Sequence, residues 1–201
     1  WTWCETYFGE DGQARFWKTS EDCPGYGSIT YHDLLFYALS RPDWTWLENG
    51  HLRRAADYGL AIINNLEAIS GFGDTSALTG AYHWPGILLA AAWYYRDGRY
   101  RYLYDLLPEK GLSPGEYAYT TYLDNAVTPA EPADCLGIKV VPLDHWVYEH
   151  PREALSSGTP ADRWLDAQTA VPPFEKCFDK ISFRTSYQRH QPYLLLGGIS
   201  H

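Results

Sequence analysis

Methionine is absent from the 201 residues, and cysteine is scarce at four. Cys4, Cys23, Cys135 and Cys177 form no CxxC pair and keep no Cys/His spacing of the kind a zinc site uses. A Cys4–Cys23 disulfide and buried free thiols fit that arrangement equally. Long apolar runs are missing too. The longest, around Gly86 to Trp93, falls well short of the roughly 18 residues that a membrane-spanning helix needs, and aromatics and charges flank it. Cations are few: 16 Lys plus Arg stand against 25 Asp plus Glu, for a formal net charge of −9. That balance argues against a nucleic-acid partner, whose phosphates require clustered positive charge. An acidic sugar stays open, because a few local Arg or His residues can make a positive cleft in an acidic chain. Neither a nucleic-acid nor a membrane partner is expected, and the oligomeric state is open.

What is present is globular and aromatic. Hydrophobic residues make up 45% and charged residues 20%, a balance that folds, in a chain long enough to bury a substantial core. Nine Trp and 17 Tyr stand out. Aromatic faces stack on the apolar faces of sugars, and the Tyr hydroxyl and indole N–H bond to sugar hydroxyls. The competing reading is that these rings fill a helical core.

Residues 1–27 read as irregular, with Asp11-Gly12 and Pro24-Gly25 as turn signals. Ser28 is placed to cap a helix running to about Ser40, with Leu34, Leu35, Ala38 and Leu39 at helical spacing. Arg41-Pro42-Asp43 stops it. A second helix is predicted over His51 to Ile69, where Leu52, Ala55, Gly59, Ile62, Leu66 and Ile69 step by three and four along one face. A third runs from Pro85 to Tyr95, Asp97-Gly98 breaks it, and Arg99 to Leu107 gives a fourth. Glu116 to Val127 is read as a fifth. Trp44-Thr45-Trp46-Leu47 and Tyr100-Arg101-Tyr102-Leu103 sit 56 residues apart after similar breakers, an offset that fits one hairpin of an α/α solenoid or toroid.

Residues 128–180 are rich in proline and read as a connector containing a strand at Ile138 to Leu143. Ile181 to Thr185 alternates apolar and polar, as a half-buried strand does. Gln188 to Pro192 turns, and Tyr193 to Leu196 gives a more apolar strand. Helices, then connector, then strands make an α+β chain: a helical part at 1–127, a connector at 128–180 and the start of a sheet domain at 181–201. Trp1 as the first residue, and a last segment Gly197 to His201 directly after a strand, lead us to expect a piece of a longer protein.

Two stretches carry a resemblance. Phe8-Gly-Glu-Asp11-Gly12-Gln, followed by Pro24-Gly25-Tyr26-Gly27-Ser28-Ile29-Thr30 and a helix ending near Arg-Pro-Asp, is similar to the heparinase II/III-type polysaccharide lyases. So is Phe178-Asp-Lys-Ile-Ser-Phe-Arg184 with Gln191-Pro-Tyr193-Leu-Leu-Leu-Gly-Gly-Ile-Ser-His201. The resemblance implies the C-terminal part of an (α/α) toroid leading into the first strands of an antiparallel β-sandwich. It implies secretion or a periplasmic location, and an acidic, uronic-acid-containing polysaccharide as substrate, cleaved by β-elimination. Tyr26 falls at that family's catalytic tyrosine, flanked by Gly25 and Gly27 in a loop expected just before a helix. His201 falls at the first active-site histidine of its sandwich. Tyr31, His32, Tyr82, His83 and Trp84 stand where helix starts would line a cleft, with Tyr31, His32, His83 and Trp84 expected to contact sugar. No cofactor is implied within this chain, although the family allows a structural zinc in the sandwich part that the chain does not contain. Its catalytic Asn and neighbouring His also have no counterpart here, so the chain alone is not expected to be a competent lyase.

Two other readings compete. A glycoside hydrolase on an α/α toroid would use two facing carboxylates, for which Asp11, Glu21, Asp22 and Asp33 are candidates. A non-catalytic carbohydrate-binding or scaffold protein would keep the fold without the chemistry.

Overall fold

Pro24 opens the first helix, α1 (Pro24–Ser40), in the computed structural model, which describes residues 24–69, 80–81, 83–107, 126–142 and 178–197. The helix begins four residues ahead of the expected cap. Proline suits a first turn because its φ is already helical and its missing N–H would have had no partner there. Ser28 therefore lies inside the helix, where its hydroxyl donates to the Gly25 carbonyl at 2.6 Å instead of capping. The consequence reaches the predicted site: Tyr26 stands in the first turn of α1, not in a loop before it. Tyr31, Leu35 and Ala38 form the inward face of α1, while Ile29, Phe36 and Tyr37 are exposed.

A single turn, α2 (Thr45–Glu48), buries Trp46 and Leu47. Gly50, left-handed at φ 78°, leads into α3 (His51–Ile62). The apolar spacing predicts a helix continuing to Ile69, but the chain leaves it at Ile63. Asn64 provides the reason. Its side-chain oxygen accepts the N–H groups of Leu66 at 2.8 Å and Ala68 at 3.2 Å, and its own N–H donates to Ala68. These bonds offer the backbone an alternative to the helical ladder. Glu67 adopts a left-handed φ of 66°, and Ile63 pairs with Ile69 across the loop. Ile69 still reaches the core, but by a tight return, and Leu66 is exposed instead of joining the apolar face.

The central element is α4 (Trp84–Tyr95), whose residues from Trp84 to Ala92 are all buried. A helix apolar on every side has to be surrounded, and α4 packs against α1, α3 and the following helix α5 (Gly98–Leu106). Gly59 sets the α3–α4 approach, since a Cβ there would stand 3.0 Å from Trp84 Cε3. Arg96, left-handed at φ 54°, ends α4. Asp97 caps α5 by accepting the Arg99 N–H. The helix expected over Glu116 to Val127 lies outside the described residues, apart from Ala126 and Val127, which are irregular. The two similar quartets both bury their leucine, Leu47 and Leu103. They sit on unequal elements, however, a one-turn helix and a nine-residue one.

Residues 126–132 run irregularly to a 3-10 turn at Ala133–Cys135, after which comes β1 (Gly137–Pro142). With β2 (Phe178–Arg184) and β3 (Tyr193–Gly197) it forms an antiparallel sheet in the order β1-β2-β3. Helices followed by a segregated antiparallel sheet make the fold α+β.

The sheet meets the helices through α3, which packs on β1 and β2, and it does so with its polar face. Lys180, Ser182 and Arg184 are 1%, 0% and 2% exposed. Ile138, Leu194 and Leu196 on the other face are 58%, 54% and 44% exposed. Cross-strand register aligns Ile138, Phe183 and Leu194 in one row, and Ile181 with Leu196 in the next, so the apolar residues share the face turned away from the helices. Half-burial of this strand agrees with its alternation, but the buried half is the polar one.

Candidate functional site

Helices α1 and α4 bring two predicted residues together. His32, on α1, and His83, the residue that caps α4, stack with ring centroids 4.6 Å apart and planes tilted by 31°. They are 51 positions apart in the chain, and only the packing of α1 on α4 joins them. His32 Nδ1 also lies 3.6 Å from the carboxylate of Asp33. Such a pair can accept a proton or face an anionic group.

Tyr31 and Trp84 belong to the core instead. Both are buried, and their rings meet edge to face with centroids 5.9 Å apart. Tyr58 closes the other side of Trp84 at 6.1 Å. Among the described residues Trp84 Nε1 finds no hydrogen-bond partner, so its value is packing. As buried rings they offer little surface for a sugar to stack on. Tyr26 lies on the same helix as His32, six residues nearer its N-terminus, roughly 9 Å along the axis. The Tyr26 side chain, Tyr82 and His201 lie outside the described set, as do Asp11, Glu21 and Asp22. Asp33 is described, and its side chain is 75% exposed. Among the described residues no group of three or more His, Cys, Asp or Glu side chains could hold a metal ion.

A second polar assembly was not anticipated. Arg184 reaches from β2 to the C-terminal end of α3. Its Nη2 donates to the carbonyls of Leu60, Ala61 and Ile63 at 3.1, 3.2 and 2.9 Å, and its Nη1 donates to Asn65 Oδ1 at 3.3 Å. The guanidinium sits over the rings of Tyr187 at 4.0 Å and Tyr193 at 4.6 Å. Those two tyrosines donate in turn to the carbonyls of Leu60 and Ala61. Asn65 donates to Ser186 and Gln191 in the β2–β3 turn. The negative end of a helix and a buried cation satisfy each other here. The available signal was polar residues recurring every second position, Lys180, Ser182 and Arg184, with two tyrosines close behind.

A third assembly joins α3, α4 and α5. Asp97 receives the Arg99 side chain at 2.6 Å and lies 3.7 Å from Arg53, and Arg99 also bonds Asp134. Burial pushes the Asp97 carboxyl up, but the Arg99 hydrogen bonds and the charges of Arg99 and Arg53 outweigh it and hold the group below the usual carboxylate range. Tyr100 donates to Asp57 at 3.0 Å, and burial first, then the Asp57 charge, raises its pKa. Tyr95 donates to Leu47, and burial pushes its pKa up to about 12. These bonds and ion pairs tie α3, α4 and α5 to one another. Compared with known proteins, the chain matches no family model, no curated protein and no solved structure.

Proposed function

We propose that the chain is part of a polysaccharide lyase that cleaves a uronic-acid-containing chain by β-elimination, with its helices belonging to an (α/α) toroid and its sheet opening a β-sandwich. The observation that carries the reading is the His32–His83 contact, which joins two helices at a pair of groups able to neutralise a carboxylate or take a proton. The apolar outer face of the sheet supports the sandwich, because two packed sheets bury such faces against each other. In the reaction a base removes the C5 proton, the C5–H electrons form the C4–C5 double bond, and the C4–O bond breaks. The departing oxygen takes a proton from an acid. Neutralising the C6 carboxylate makes the C5 proton acidic enough to leave. Tyr26, at the positive end of α1, is assigned the acid/base role. Its ordinary pKa of about 10 suits a proton donor, and nearby cations would lower it toward a base. His201 assists from the sandwich side.

The product decides. The full-length protein is assayed on alginate, hyaluronan, heparan and glucuronan for the ultraviolet absorbance of an unsaturated uronate. Such absorbance is expected, and Tyr26→Phe is expected to reduce kcat about 100-fold or more with little change in KM. Reducing ends released without that absorbance would point to a hydrolase. No cleavage of any of the four substrates would leave a binding protein.

A further inference from the structure

At the far end of α4 from the histidine pair lies a group of rings that the proposed chemistry does not use. Trp44 precedes α2, and Trp93 and Tyr94 occupy the last turn of α4. Trp44 and Tyr94 are nearly parallel, at 15°, with centroids 6.2 Å apart. Trp93 lies 6.0 Å from each. All three are half-buried and pack against the core. His83 and Tyr94 are eleven residues apart, roughly 16 Å along the helix.

We propose that Trp44, Trp93 and Tyr94 form a carbohydrate-binding platform, separate from the histidine pair, that stacks on the apolar faces of pyranose rings in a polysaccharide. Hydrogen bonding separates these rings from the structural tyrosines. The hydroxyls of Tyr95, Tyr100, Tyr187 and Tyr193 each donate to a named protein acceptor. The Tyr94 hydroxyl and the indole N–H groups of Trp44 and Trp93 have no hydrogen-bond partner among the described residues. A cluster of half-buried rings, with Trp93 tilted by 48° to Trp44 and 57° to Tyr94 and edged with three such donors, fits a pyranose, which presents C–H groups on its face and hydroxyls around its rim. An aliphatic protein surface fits less well, because covering the platform would bury those donors without acceptors. The platform binds and does not react, so it stands or falls separately from the elimination chemistry.

The test is native affinity electrophoresis of the full chain in gels containing alginate, hyaluronan or hydroxyethyl cellulose. At least one polysaccharide is expected to retard the protein. Trp44→Ala and Trp93→Ala are expected to weaken that binding about fivefold to tenfold, the range for losing a well-stacked ring. Trp44 also packs on the core, so Trp93→Phe and Tyr94→Phe, which keep the ring, decide the matter if an alanine variant fails to fold. Each is expected to weaken binding about twofold to threefold through the lost hydrogen bond. Absence of retardation in all three gels, or equal retardation of the folded ring variants, overturns the proposal. A wild-type dimer that Trp93→Ala converts to monomer, without polysaccharide binding, overturns it as well and marks the rings as a protein contact.

Discussion

Replacing Arg184 with methionine isolates what a buried guanidinium contributes at the end of α3. The wild-type side chain bonds three carbonyls and the Asn65 amide oxygen, and lies over two rings. In the variant, Tyr187 and Tyr193 still donate to the Leu60 and Ala61 carbonyls. The Ile63 carbonyl loses its donor at 2.9 Å, and the Asn65 amide oxygen loses a longer, weaker one at 3.3 Å. One buried carbonyl left unmet costs about 1–3 kcal/mol, and the lost cation–ring and helix-end attractions add about 1–2 kcal/mol. Methionine keeps the packing of the stem, and removing the charge relieves its desolvation, which offsets part of the loss. The net expectation is about 2–4 kcal/mol, a large share of the 5–15 kcal/mol typical of a domain. Urea denaturation followed by circular dichroism measures it directly. Arg184→Lys should recover less than half, because one ammonium cannot span three carbonyls and an amide in a fixed fork. A loss below about 1 kcal/mol for methionine, or a lysine variant as stable as wild type, would refute the reasoning.

Two further perturbations follow from the structure. Burial first, and the Arg54 charge second, lower the His51 pKa to about 4, whereas the unfolded chain takes that proton near 6.5. Between those values the unfolded state binds more protons, so stability falls as pH is lowered from 6.5 toward 4. We expect a loss of about 1–2 kcal/mol after discounting for solvent screening, read as a drop in Tm that His51→Gln flattens; an unchanged pH slope in that variant counts against the assignment. At Gly98 an added Cβ would stand 2.5 Å from the Thr128 carbonyl oxygen and 3.1 Å from Ala130 Cβ. Gly98→Ala is therefore expected to cost about 2–3 kcal/mol, and a urea midpoint equal to wild type would contradict the close packing of that segment on α5.

Local signals gave the elements, and tertiary competition moved their ends. Pro85, Arg96 and Asp97-Gly98 delimit α4 and α5 close to where periodicity and breakers place them. The early end of α3 was visible only as Asn64-Asn65, because an apolar period does not show that an amide side chain has taken over the backbone N–H groups. Ser28 misled for the opposite reason: a good capping residue can also bond backward inside a helix. The strand alternation of Ile181 to Thr185 carries a period but not a direction. Which face turns inward depends on what α3 presents, and α3 presents open carbonyls that call for a cation. For the site, the sequence marked His32 and His83 separately, and their contact depends on the packing of α1 against α4. Tyr31 and Trp84 shared the same aromatic signal, yet chain periodicity does not separate a ring in the core from a ring in a site.

The sheet also records an order of assembly. The β2–β3 pair is closed by the eight residues from Thr185 to Pro192, whereas 35 residues separate β1 from β2. For flexible chains the longer closure costs roughly 1.3 kcal/mol more entropy, and it must be met before β1 pairs with β2. On loop closure alone the hairpin is expected to form ahead of the β1–β2 pair, carrying Arg184, Tyr187 and Tyr193 together. The same short segment supplies the groups that bond the end of α3, so the junction between helices and sheet rests on the most locally closed part of the sheet.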